Sequence, residues 1–129
     1  MIQHARGTFT VDVHPLTPAP PAGLGRMSID KQIQGDLEGS SQGEMIIAGD
    51  PKQGASGYVA MEVVTGTLAG KHGGFALMHR AAMDGGGREM LVTIAPGSGT
   101  GELKGICGTF QIEFEGSRHL YDLEYTLAL

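Results

Sequence analysis

Three ionisable side chains stand in otherwise apolar company: Lys31 in "MSIDKQI", Glu62 in "YVAMEVV" and His79 in "FALMHRAAM". Each stretch alternates like a β-strand, so residues two apart share a face. Lys31 then lies with Met27, Ile29 and Ile33; Glu62 with Tyr58, Ala60, Val64 and Leu68; His79 with Phe75, Leu77, Ala81 and Met83. A charge on an apolar face is costly unless it is paired or hydrogen-bonded, so these groups are expected to find partners in the interior. Two readings follow. In one, Glu62 or His79 acts as a general acid or base in a small pocket while Lys31 orients a carbonyl or carboxylate. In the other, Glu62 forms a structural ion pair with Lys31 or His79 that plugs the interior.

The last apolar stretch, "HLYDLEYTL", puts His119, Tyr121, Leu123 and Tyr125 on one face. Tyrosine hydroxyls at a pocket mouth hydrogen-bond a ligand's polar group; buried tyrosines also serve as amphipathic core members. The candidate ligand-binding set is therefore Lys31, Tyr58, Glu62, His79, Tyr121 and Tyr125, with Glu62, His79 and Lys31 as the candidates for catalysis. No metal site is expected, because His4, His14, His72, His79 and His119 are dispersed and no cysteine lies at zinc spacing. Cys107, among glycines and beside Ile106, is expected to be a small buried residue rather than a nucleophile. Ser28, Ser40 and Ser41 have no recognisable partners, and no Gly-x-Ser-x-Gly elbow occurs.

The elements that position these residues are strands. Helical periodicity is almost absent, while alternation recurs in "GTFTVDVH", "GRMSIDKQI", "LEGSSQGEMIIA", "SGYVAMEVVTGTLAG", "FALMHRAAM", "REMLVTIAP", "GTFQIEFE" and "HLYDLEYTL". Most connections are short, among them a hairpin turn expected at "KHGG", and short connections make antiparallel neighbours. The longest, "PLTPAPPAG", is a stiff proline-rich loop. Eight antiparallel strands with no helix to cover a sheet edge predict an all-β fold, an eight-stranded closed barrel in a single domain spanning 1–129; a two-sheet sandwich competes. The fourth strand is apolar on both faces, with Val59, Met61 and Val63 opposite the Glu62 face. Its second face is expected to meet another subunit in a homo-oligomer, unless the proline-rich loop or the N-terminal segment covers it.

Composition removes several function classes. The net charge of −5 and the scattered basic residues leave no footprint for nucleic acid or an anionic membrane surface. A single cysteine cannot make an internal disulfide, and the first residues lack the pattern of a signal peptide, so a cytoplasmic protein is expected. Seven methionines against four phenylalanines suit an irregular interior or a cavity tolerant of varied ligands.

Glycine, at 22 of 129 residues, is about twice as frequent as the usual ~7%. It concentrates in "GSGTGELKGICGTF", which lacks the lysine and Ser/Thr of a Walker loop and the G-x-G-x-x-G spacing, and which leads into a strand rather than a helix. The glycines are expected to serve turns and close strand approach. The segment "GTGELKGICG" resembles the Gly-Thr-Gly-x-(Leu/Phe)-x-Gly-x-x-Gly run of allene oxide cyclases and dirigent proteins, which are eight-stranded barrels. Together with "GRMSIDKQIQGDLEGSSQGEM", "GYVAMEVVTGTLAG" and "HLYDLEYTLAL", it makes the chain similar to a bacterial family of small proteins of unknown function in the allene-oxide-cyclase-like group. The resemblance implies an allene-oxide-cyclase-like barrel and supplies no activity or catalytic residues. Three functions remain: a barrel binding a small, largely apolar molecule in or at its mouth, a cofactor-free isomerase or cyclase using Glu62 or His79, and a structural oligomer with a filled barrel. No cofactor is expected in any of them.

Overall fold

The computed structural model describes residues 1–127; Ala128 and Leu129, the last two residues of the expected domain, lie outside the described residues. The strands are β1 (Gln3–Pro15), β2 (Leu24–Gly35), β3 (Leu37–Asp50), β4 (Ala55–Leu68), β5 (Lys71–Asp84), β6 (Gly87–Ile94), β7 (Thr100–Gly101), β8 (Cys107–Glu115) and β9 (Arg118–Thr126). Eight of them close into an antiparallel barrel in the order β4-β3-β2-β1-β9-β8-β6-β5, with β4 pairing β5 to complete the ring. Each neighbour in the ring is also a neighbour in the chain apart from β1–β9, and apart from β6–β8, between which the two-residue β7 intervenes. The seam between β6 and β8 is the exception in quality, paired only at Thr93↔Thr109.

Three local differences from the expected layout have simple causes. The turn expected at "KHGG" sits two residues earlier: Ala69 and Gly70 both take positive φ, and Lys71–Gly74 belong to β5. A ninth strand, β7, is two residues long and pairs Thr100 and Gly101 with Gly74 and Gly73, too short to show any periodicity. Cys107 is exposed rather than buried. Inward positions on β8 are even-numbered, as buried Phe110 shows, so residue 107 faces out.

The interior divides into two halves. At the end where β1 begins and β9 finishes, Leu37, Val64, Leu68, Phe75, Leu77 and Leu123 fill the bore. The glycine-rich connection from β6 to β8 closes this end, because it folds Leu103 and Ile106, at 0% and 1% exposure, into the same core. The glycine-rich stretch, expected to serve turns and close strand approach, is in addition a stopper.

Tyr121 locks the filled half. Its hydroxyl accepts from Leu37 N–H and lies 3.0 Å from the carbonyl oxygens of both Gln34 and Leu37, at the turn from β2 to β3. The side chain reaches there across Gly7, its direct partner on β1; a Cβ at Gly7 would collide with the Gln34 carbonyl oxygen and stand 2.8 Å from the hydroxyl. The opposite half, toward Pro51 and the β8–β9 turn, is hollow.

Candidate functional site

The boundary between the halves carries charge. Lys31 from β2, Ser41 from β3, Glu62 from β4 and His79 from β5 are all buried, at 5% exposure or less. Register brings them level: Lys31 opposes Ser41, while Glu62 opposes Gly43 and neighbours His79 diagonally, since His79 opposes Ala60. Gly43 keeps β3 close at this level, as a Cβ there would collide with the Met61 carbonyl oxygen.

The Glu62 carboxylate is the hub. Lys31 Nζ lies 3.0 Å from each of its oxygens, Ser41 Oγ donates to Oε1 at 2.9 Å, and His79 Nδ1 stands 3.5 Å from Oε2. Beyond the imidazole, His79 Nε2 is 2.9 Å from the Tyr58 hydroxyl. An ionised Glu62 favours the proton on Nδ1, which leaves Nε2 to accept from the phenol. The ammonium of Lys31 also sits over two rings, 4.9 Å from the Phe9 centroid and 5.8 Å from that of Phe110.

Burial by itself raises the Glu62 pKa; the hydrogen bond from His79, the charge and hydrogen bond of Lys31 and the Ser41 hydroxyl outweigh it, so the carboxyl titrates below its ordinary 4.5. Tyr58 moves the other way: burial, then the negative charge of Glu62, raise its pKa against the opposing pull of Arg88, and it remains a phenol at neutral pH. Among the described residues no buried side-chain nitrogen or oxygen lacks a partner. The cluster is electrostatically self-contained, which is how buried ionic groups persist in a dry interior.

Above this floor lies a cavity of about 380 Å³. Its wall is chiefly apolar, including Met27, Met45, Met83, Met90, Ile29 and Ile112, with polar groups limited to Lys31, His79, Tyr58, Ser56 and His119. Phe9, His119 and Phe114 line one side as a series of rings, His119 lying 5.2 Å from Phe9 and 5.1 Å from Phe114. At the rim Phe114 is half exposed and the Arg88 guanidinium stands 4.8 Å over its ring.

Four of the six sequence candidates, Lys31, Tyr58, Glu62 and His79, come together here. Tyr121 and Tyr125 do not. Both are buried in the filled half, the first clasping the β2–β3 turn and the second reaching Gln3 Oε1 at 3.2 Å. They share the inward parity of β9 with His119, but only His119, at the start of that strand, is level with the cavity. Ser41 was missed although Leu37 and Met45 fix its inward parity; a small hydroxyl among glycines carries no apolar signal of its own. Among the described residues no group of three or more His, Cys, Asp or Glu is placed to hold a metal ion. No helix among them is long and apolar enough to cross a membrane.

Comparison with known proteins agrees with the fold. Residues 5–125 match the family model described as "Protein of unknown function (DUF3224)". A crystal structure of a DUF3224 protein of unknown function from Shewanella oneidensis MR-1 is 37% identical and superposes with a TM-score of 0.89 over 100% of this chain and 99% of that one. No curated protein matches. The chain belongs to the DUF3224 family.

Proposed function

We propose that this DUF3224 protein binds a small, largely apolar molecule in the hollow half of its barrel. The carrying observation is the cavity itself: about 380 Å³ of space with a chiefly apolar wall and only a few polar groups, Lys31, His79 and Tyr58 among them. Ligand pockets of this kind run from about 300 to 1,000 Å³, and their sparse polar groups set orientation. The ligand's apolar body would lie against the methionines, whose flexible thioethers adapt to shape. One oxygen or nitrogen would meet Tyr58, which donates to His79 and keeps lone pairs for a ligand donor, or the third N–H of Lys31. The lone cysteine supports a reducing, cytoplasmic setting.

The test uses an apolar fluorophore such as 1-anilinonaphthalene-8-sulfonate and a variant that fills the space, Met45→Trp. Wild-type protein is expected to bind one probe per chain and to melt at higher temperature with it. The filled variant is expected to keep its circular dichroism and lose the probe. Equal binding by both would remove the proposal.

A second reading is favoured by one feature, the hydrogen-bond chain Tyr58–His79–Glu62 leading from the cavity to a buried carboxylate. Such a chain lets an imidazole take and return a proton, which is what a cofactor-free isomerase or cyclase of the allene-oxide-cyclase-like group would need. Turnover of an enolisable apolar ketone that disappears in His79→Asn, with probe binding retained, would support it. The third reading, a structural barrel filled throughout, draws support only from the self-contained cluster.

A further inference from the structure

The outside of the barrel carries an apolar face where a solvated wall would be polar. Val59, Met61 and Val63 on β4, Met78 on β5 and Leu91 on β6 are between 44% and 60% exposed, so neither the proline-rich loop nor the N-terminal segment covers them. Register makes them contiguous: Met61 opposes Met78, Val59 opposes Arg80, and Arg80 in turn opposes Leu91. A groove of about 390 Å³ runs beside Met61, bounded by Ile46, Val59 and Met78, with Glu44 on its β3 flank and Arg80 on its β5 flank. Arg26 holds Glu44 Oε1 at 2.7 Å, leaving the second oxygen for another donor. Arg80 has no acidic partner among the described residues.

We propose that this face is the two-fold interface of a homodimer, its occupant a second copy of the same chain. The argument is charge placement combined with symmetry. A two-fold axis lying in the contact plane along β4 turns the β3 flank of one copy onto the β5 flank of the other. Glu44, level with Met61, then lies two residues along the strand from the partner's Arg80, level with Val59, an offset that the long arginine side chain spans, and the same pair recurs on the other side of the axis. Met61 lies on the axis, meets its own copy, and fills the groove of the facing chain. The outer face of β3–β6 measures on the order of 500 Å² in projection from strand spacing and rise, and more in accessible area, against the roughly 800 Å² per partner of a standard interface. An apolar centre with a polar rim is the anatomy such contacts have.

The experiment is analytical ultracentrifugation of the full chain, with disulfide trapping as a second, independent readout. Wild type is expected at about twice the 13.5 kDa chain mass. Met61→Glu is expected to weaken association by roughly 30-fold or more with unchanged circular dichroism. Arg80→Glu is expected to weaken it too, and Glu44→Gln to restore part of the loss by removing the repulsion created across the interface. In a Cys107→Ser background, oxidised Met61→Cys is expected to trap a covalent dimer, because residues on a two-fold axis meet their own copies. A monomeric wild type, a dimer indifferent to Met61→Glu, or a trimer that Met61→Cys does not cross-link would each overturn the proposal.

Discussion

The two halves of this barrel share the same eight strands and differ in what their inward positions hold. In the filled half Leu37, Leu68, Leu103 and Leu123 are at most 1% exposed, and two of the residues that complete it come from a connection rather than from the barrel wall. In the hollow half the same inward parity is taken by Met27, Met83 and Met90, and Pro51 is the one connection residue that lines the cavity among the described residues. An eight-stranded barrel is just wide enough either for its side chains to fill or for one small ligand. Here one half of the bore is filled and the other leaves a cavity, with the Lys31–Glu62–His79 layer between them. A charged layer is tolerable at that level because its hydrogen bonds are complete and the packed half below holds its strands in register.

The strongest way to break the contrast is to damage the layer. Glu62→Leu leaves the Lys31 ammonium buried without its carboxylate, and is expected to cost about 3–5 kcal/mol in urea unfolding. The double variant Lys31→Met/Glu62→Leu is expected to regain most of that, since two apolar side chains of similar volume replace a compensated pair. A single substitution without effect would mean that the layer is not the floor on which the cavity stands.

Next in size is a pair that asks whether the halves differ in packing as the geometry implies. Leu123→Ala removes a side chain at 0% exposure and is expected to cost roughly 2–5 kcal/mol. Met90→Ala trims a half-buried wall that already faces space, and is expected to cost less than about 1.5 kcal/mol while admitting a bulkier probe. Equal losses would mean the hollow half is collapsed in solution.

How much of this was legible beforehand divides along the same line. Parity within a strand is a local property, so the inward placement of Lys31, Glu62 and His79, and the outward apolar face of Val59, Met61 and Val63, could be read directly from alternation. Height along the barrel axis is not local. It depends on the stagger between strands, which single-strand patterns do not encode. Tyr121 and Tyr125 show the cost: their parity was right, and their level places them in the filled half. Leu103 and Ile106 show another limit, because a glycine-rich connection has no period to betray that it turns two apolar residues inward.

The tyrosines themselves offer the third test. Tyr121→Phe removes the hydroxyl shared by Leu37 N–H and two carbonyl oxygens, and is expected to cost about 1–3 kcal/mol with little effect on probe binding. Tyr58→Phe loses one bond to His79 at the cavity wall, and is expected to cost under about 1 kcal/mol while weakening a ligand with a polar end. The expected ranking is thus reversed between stability and binding.

The smallest effect is a slope, and it reports on the boundary alone. Glu62 titrates below 4.5 in the folded chain and near 4.5 when unfolded. Across the interval between those values the unfolded state binds more protons, so stability rises with pH there. The contribution is complete above about pH 4.5 and is lost as pH falls through the folded value. Asp122 adds to the same acid limb: burial raises its pKa, but the hydrogen bonds from His4 and Arg6 and their charges outweigh it. The readout is therefore the difference between wild type and Glu62→Gln in urea midpoint from pH 6 to pH 3. Wild type is expected to fall more steeply by up to about 1.4 kcal/mol per pH unit, the linkage of one proton. Asp122→Asn, on the outside of β9, is expected to flatten the limb without touching the cavity. If Glu62→Gln leaves the slope unchanged, the carboxyl titrates alike in the folded and unfolded states and the layer does not favour its ionised form; if wild type instead falls less steeply than the variant, the folded carboxyl holds its proton above 4.5 and the hub of the layer is a neutral hydrogen-bonding group.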